Sequence, residues 1–203
     1  MEKHFYINGE FKMTLFDISS GLLSAEVYPG DPKPERTIIS SISGKDEYTV
    51  SKISLSSHSA THIDAPSHVI DGGMTVDEIP LYMTVGLCMV VEYSGVVDKV
   101  VAEGLLAKIS LPEFNRRILF KGDVSFTPDG ATHLSNSGVY LVGVCGLSIG
   151  DIDIHRAFLS GGTIILEGLS LSGIDEGFYM LNAAPICIEG GDGAPCRALL
   201  HKI

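Results

Sequence analysis

The chain has 203 residues, 45% of them hydrophobic, and a mean hydropathy of +0.27. That length fits one domain spanning 1–203 with a large core, and no run approaches the ~20 apolar residues of a membrane span. With 14 basic and 25 acidic side chains the formal net charge is −11, which speaks against nucleic acid as a partner, because phosphate binding relies on clustered Lys and Arg.

The opening residues, Met1 to His4, form no apolar secretory segment, so a cytoplasmic protein is expected. Alternation at Lys52–Leu55 predicts a strand. Just beyond it comes the run His58-Ser-Ala-Thr-His62-Ile-Asp64-Ala-Pro66-Ser-His68, which holds three of the seven histidines and a carboxylate. Imidazole nitrogens and a carboxylate oxygen are the ligand set of a zinc or manganese site. In extended backbone every second side chain faces the same way. His58, His62, Asp64 and His68 can then look into one pocket, while Thr61, Ile63 and Ala65 look away. A helix is the weaker reading, since Asp64 would sit off the shared face and Pro66 would break the helix. A straight strand would hold His58 and His62 roughly 13 Å apart, too far for one ion. The chain must therefore bend, and Ala60, with almost no side chain, is the expected place. The competing reading is a histidine-rich loop that ligates nothing.

Further along, the apolar block Val85–Val91, overlapping the alternating run Gly86–Tyr93, predicts a core strand. Asp98–Lys108 reads as a helix, Gly138–Val144 as a strand, and Ile154–Ser160 as a second helix capped by Asp153 and ended by Gly161-Gly162. Thr163–Leu166 and Ala184–Ile188 read as strands. Strands outnumber helices, which predicts an α/β domain with a curved mixed β-sheet and a few short helices. Glu167 follows three apolar strand residues, where an acid is costly to bury unless paired. Alone, Glu167 would read as a surface acid and His155 as a helix-end histidine. The upstream cluster tilts both towards ligation. Cys88, Cys145, Cys187 and Cys196 form no CxxC pair and read as reduced core residues, with Cys145 or Cys196 an alternative sulfur ligand.

These residues resemble the cyclase-like metal hydrolases, the family of bacterial kynurenine formamidases and isatin hydrolases. Its motif, His-x-Gly-Thr-His-x-Asp-x-Pro-x-His, is similar to His58 through His68 here, with Ala60 in place of the glycine. The likeness continues through Asp71-Gly72-Gly73 to Pro80, Phe16–Ser19, Val27–Asp31, His155 to Leu159 with Glu167-Gly168, and Gly191–Ala198. The resemblance implies a swivelling β/β/α fold and one or two zinc ions, with manganese as the alternative. It implies that His58 and His62 ligate one ion, that Asp64 bridges two, that His155 binds the second and that Glu167 helps to bridge or close the site. His68 would be the general acid/base. Tyr28 stands where the kynurenine enzymes carry a pocket-lining tryptophan, which implies a smaller or more polar carbonyl substrate. A homodimer or homotetramer is also implied. If the position of Ala60 needs a positive φ, the alanine there is strained.

The expected chemistry is metal-assisted hydrolysis of a carbon–nitrogen bond in a small-molecule amide, formamide or cyclic imide, with His68 supplying the proton to the leaving nitrogen. Ester or lactone hydrolysis, or cyclase chemistry, at the same site is the nearest alternative. A non-catalytic metal-holding protein is the alternative of another class, and His68 beside the ligands argues against it.

Overall fold

The computed structural model describes the backbone of residues 2–7, 10–109, 114 and 116–203, and their side chains from residue 14 onward. Met1, part of the opening segment read above, lies outside the described residues. The N-terminal half runs through β1 (Glu2–Ile7), β2 (Glu10–Asp17), β3 (Glu35–Ser40), β4 (Val50–Ser54) and β5 (His62–Asp64). Then come α1 (Leu81–Thr84), β6 (Val85–Glu92), β7 (Gly95–Val97), α2 (Lys99–Lys108), β8 (Arg117–Lys121) and β9 (Val124–Phe126). The rest is α3 (Pro128–Asn136), β10 (Leu141–Val144), α4 (Ile152–Ser160), β11 (Ile164–Glu167), β12 (Gly177–Asn182), β13 (Gly193–Pro195) and β14 (Leu199–Lys202).

Ten strands form one mixed sheet in the order β1-β2-β14-β12-β6-β8-β10-β11-β5-β13. Its centre, β6-β8-β10-β11, is parallel, and both flanks are antiparallel. Parallel neighbours need long crossovers. Here α2, α3 and α4 lie in those connections, and α3 packs on both of the others. The expected α/β class with a curved mixed sheet and few helices is therefore present.

Strand alternation divides the core in two. Ile118, Phe120, Val142, Val144 and Ile165 pack with Ala102, Leu134 and Phe158 of the helices. Leu119, Ile164 and Leu166 point to the other face, with Ile63, Cys88 and Leu181. With a period of two, Glu167 shares the helix-side face with Ile165. His62 and Asp64, flanking Ile63 in β5, share it as well. The register pairs Glu167 with His62 and Ile165 with Asp64.

Several expected elements shift. The second helix begins at Ile152, so its N-cap is Asp151, whose carboxylate accepts from the Asp153 and Ile154 amides, and Asp153 lies inside the first turn. Ala184–Ile188 is no strand. Pro185 contributes only an isolated bridge to Cys196, and Ile186 is exposed. The strand comes earlier, at β12, where Tyr179 and Leu181 are buried and their neighbours Phe178, Met180 and Asn182 are exposed. The strand expected from Gly138 begins at Leu141, because Gly138 and Val139 close the turn after α3.

The bend expected at Ala60 is real. Its φ is +57°, so the chain between His58 and His62 is not straight. Left-handed backbone costs a non-glycine residue ~1–2 kcal/mol, whereas glycine adds ~0.5–1 kcal/mol of lost chain entropy. Ala60→Gly should therefore raise stability by up to ~1 kcal/mol. Urea unfolding with an unchanged m-value measures it, and a lower midpoint would show that the turn holds Ala60 without strain.

Candidate metal centre

The site sits at the C-terminal end of β11, where open α/β sheets place ligand crevices. His62 and Asp64 reach it from β5, Glu167 from β11, and His155 from the first turn of α4. His58 comes from the turn before Ala60. Pro66–His68 forms a single 3-10 turn rather than extended chain, so the even spacing continues only as far as Asp64. All six expected groups nevertheless line one cavity of about 300 Å³, together with Tyr28, Asp31, Ser148 and Asp151. A larger cavity beside the Ser59–Thr61 turn, lined by Asp17, Ile186, Cys196 and Arg197, contains none of them. Cys145 bonds the Phe120 carbonyl, and neither it nor Cys196 joins a ligand cluster among the described residues.

The ring orientations follow from hydrogen bonds on the outer nitrogens. His62 Nδ1 lies 2.9 Å from the Ala60 carbonyl, and His155 Nδ1 lies 2.8 Å from the Asp151 carbonyl. Carbonyls only accept, so both Nδ1 atoms carry protons and both Nε2 atoms face inward. The left-handed turn at Ala60 thus helps to aim His62. Gly168, at φ +68°, makes room for that turn, since a Cβ there would lie 2.3 Å from the Ala60 oxygen. Inside, His62 Nε2 is 3.2 Å from Asp64 Oδ1 and 3.4 Å from Glu167 Oε2. His155 Nε2 is 3.4 Å from Glu167 Oε1 and 3.6 Å from Asp64 Oδ2. His58 Nδ1 is 2.8 Å from Asp64 Oδ1. Glu167 Oε1 also accepts from the Ile149 amide.

This arrangement fits a divalent cation. His62, Asp64, His155 and Glu167 are buried, yet His62 Nε2 and Asp64 Oδ2 have no hydrogen-bond partner. Buried polar atoms are rarely left so. Two carboxylates with three imidazoles suit zinc or manganese. One candidate ligand group joins His62, Asp64 and Glu167, and another joins His58, Asp64 and His68.

Electrostatics without an ion point the same way. Burial disfavours charge on His62, but Asp64 and Glu167 outweigh it and push its pKa up to about 10. Burial likewise opposes charge on His155, while Glu167 and the Asp151 carbonyl raise it to about 8. Asp64 is held well below the carboxylate range by His58 and His62 despite full burial. His68 differs. Burial and the adjacent His58 hold it below its ordinary value.

A histidine raised in the folded state contributes stability that is complete below pH ~6.5 and lost as pH rises through its folded value. Metal-free protein should therefore lose melting temperature progressively from pH ~6.5 through 8 to 10. Asp64 acts in the opposite sense, and its contribution fades as pH falls below ~3.8. An ion replaces the ring protons, so zinc-loaded protein should lack the alkaline loss. Thermal melts against pH, with zinc and with chelator, check this, and parallel curves would contradict it.

Asp192 lies in the Gly191–Ala198 likeness, but the sequence alone assigns it no role. Its Oδ2 lies 2.9 Å from His58 Nε2 and 3.6 Å from His68 Nδ1. The available signal was an acid among glycines in the closing motif.

Comparison with known proteins supports the resemblance. Residues 16–150 match the family described as "Putative cyclase". The kynurenine formamidase of Salinibacter ruber is 36% identical over 93% of this chain and 98% of its own. A solved structure described as a potential metal-dependent hydrolase with cyclase activity superposes with a TM-score of 0.79 at 30% identity, covering 95% of this chain and 99% of its own. Isatin hydrolase A of Labrenzia aggregata shares the fold, with a TM-score of 0.79 at 20% identity over 93% of each chain. By its motif, its fold and these relatives, the chain belongs to the cyclase family.

Proposed function

We propose that this chain is a metal-dependent hydrolase that cleaves the carbon–nitrogen bond of a small amide, formamide or cyclic imide. The observation that carries the reading is the pair of orphaned buried atoms, His62 Nε2 and Asp64 Oδ2, facing Glu167 and His155. The formamidase of Salinibacter ruber, similar over nearly the whole chain, supports the bond class. His58, His62, Asp64, His155 and Glu167 would hold one or two ions of zinc or manganese. When bound, a divalent ion lowers the pKa of a coordinated water towards ~7 and polarises a carbonyl.

The other steps belong to this chain's own groups. His68 is partly exposed and lines the cavity beside His58. Held neutral at pH 7, it can take the proton of the attacking water and hand it to the leaving nitrogen. Tyr28, half exposed in the cavity wall, offers a ring face and a hydroxyl to the substrate.

The test is metal content with turnover of formamides, cyclic imides and lactones, including formylkynurenine, with Tyr28→Trp alongside. Amide or imide turnover that tracks metal content supports the reading. A preference for lactones would move the chain to ester hydrolysis, and no turnover by metal-loaded protein would leave a binding protein. Efficient formylkynurenine hydrolysis with no gain in Tyr28→Trp would remove Tyr28 from substrate selection.

A homodimer is part of the same proposal. Ile38, Ile39, Ile42, Tyr48, Val50 and Ile53 are exposed on or beside the β3–β4 hairpin. Exposed apolar side chains gathered on one hairpin make it the candidate association site. Light scattering at micromolar concentration should give twice the 21.7 kDa chain mass, and a stable, active monomer would refute it.

A further inference from the structure

We infer that Asp192 is a positioning residue of this centre: its carboxylate fixes which ring nitrogen of His58 faces Asp64. The inference rests on the proposed metal centre and adds a residue to it.

His58 is held at both ends of its ring. Nδ1 lies 2.8 Å from Asp64 Oδ1, and Nε2 lies 2.9 Å from Asp192 Oδ2. A neutral imidazole has one proton, so only one nitrogen can offer a lone pair. Asp64 is buried and faces His62 and His155. Asp192 is about half exposed and faces His58 and His68 only, among the described ion pairs. The nitrogen that looks into the cluster is therefore Nδ1. A proton on Nε2, donated to Asp192, leaves the Nδ1 lone pair free for an ion.

The other two histidines show the same logic with the ring reversed. His62 and His155 donate from Nδ1 to backbone carbonyls and present Nε2. The rings of His58 and His62 stand edge to face, 5.1 Å apart. His58 finds its acceptor on a side chain, 134 positions along the chain. An outer acceptor of this kind sets the tautomer of a ligating histidine and raises its basicity.

Backbone contacts fix Asp192 in place. The antiparallel register of β5 and β13 sets Gly193 opposite Asp64. The Asp192 carbonyl accepts from the Ala65 amide, and the Gly191 carbonyl accepts from the Val76 amide. Gly190 donates to Asp77. A Cβ on Gly193 would lie 2.8 Å from His58 Cε1 and 2.7 Å from the Ile63 oxygen. The missing side chain at Gly193 lets the His58 ring lie against this strand, within reach of Asp192. At 3.6 Å, the contact of Asp192 with His68 is electrostatic rather than a hydrogen bond.

The test is zinc affinity by chelator competition in wild type, Asp192→Ala and Asp192→Asn, with long-range proton–nitrogen spectra of the histidine rings in zinc-loaded wild type. Asp192→Ala should bind zinc ~10–100-fold more weakly. Asp192→Asn keeps an acceptor oxygen and should lose less. The spectra should show the His58 proton on Nε2. A proton on Nδ1, or none on Nε2, overturns the role, the second case because Asp192 and His58 Nε2 would then share an ion. Zinc affinity of Asp192→Ala within twofold of wild type also overturns it. Should Asp192→Ala fail to fold by circular dichroism, the Asn variant and the wild-type spectra decide. Wild type that binds no zinc defeats the metal centre itself, whereas normal wild-type binding with an unaffected alanine variant defeats only the role of Asp192.

Discussion

His62→Ala is expected to lose bound metal and hydrolytic turnover together. The side chain of His62 is 4% exposed, and its Nε2 lies between two carboxylates, 3.2 Å from Asp64 Oδ1 and 3.4 Å from Glu167 Oε2. That nitrogen has no hydrogen-bond partner among the described residues, so an ion is its natural partner. Removing the ring leaves two buried carboxylates with one cationic neighbour fewer. The variant can relieve this by taking up protons or water, and neither restores a nitrogen ligand. Lewis-acid assistance is worth several kcal/mol in the transition state, so turnover should fall by at least about a thousandfold. Metal analysis after dialysis, paired with turnover of the best substrate, reads both effects. A variant with its full metal complement and turnover within tenfold of wild type would take His62 out of the ligand set.

The sequence carried the local part of this site. A bend was expected at Ala60 because a straight strand spreads the two histidines too far, and the positive φ there supplies it. Glu167 was suspect because an acid at the end of an apolar strand needs a partner, and its pairing with His62 across β11 and β5 provides one. The long-range part was not legible. Asp192 meets His58 only because β13 pairs with β5, and no local pattern announces that pairing. Register errors had local causes. Asp151 and Asp153 both suit a helix start, and spacing does not rank them. The run Ala184–Ile188 is apolar enough for a strand, yet Pro185 has no amide to give a ladder. Helix α3 has no clear apolar period because Gly130, Thr132, Ser135 and Asn136 dilute its pattern. It is held by Thr127 at its N-cap and by Ala131 and Leu134 in the core.

His68→Ala should keep the metal and lose ~10²–10⁴-fold in turnover, the usual worth of a positioned acid/base. Geometry makes this a real question, because His68 could join His58 and Asp64 as a ligand. Three features favour proton transfer. The side chain of His68 is 30% exposed, against 1% for Asp64 and 4% for His62, so it can exchange protons with solvent. Its ring sits on the 3-10 turn begun by Pro66, outside the β5 strand that aims His62 and Asp64. Its proton affinity is held down by burial and by His58, whereas the carboxylates raise that of His62 and His155. A group that is neutral at pH 7 can accept a proton from water and return it to a leaving nitrogen. Metal analysis and single-turnover rates on the same preparation separate the two roles. If His68→Ala strips the metal while the residual loaded protein turns over normally, His68 is a ligand, and the proton must pass through another group in the cavity.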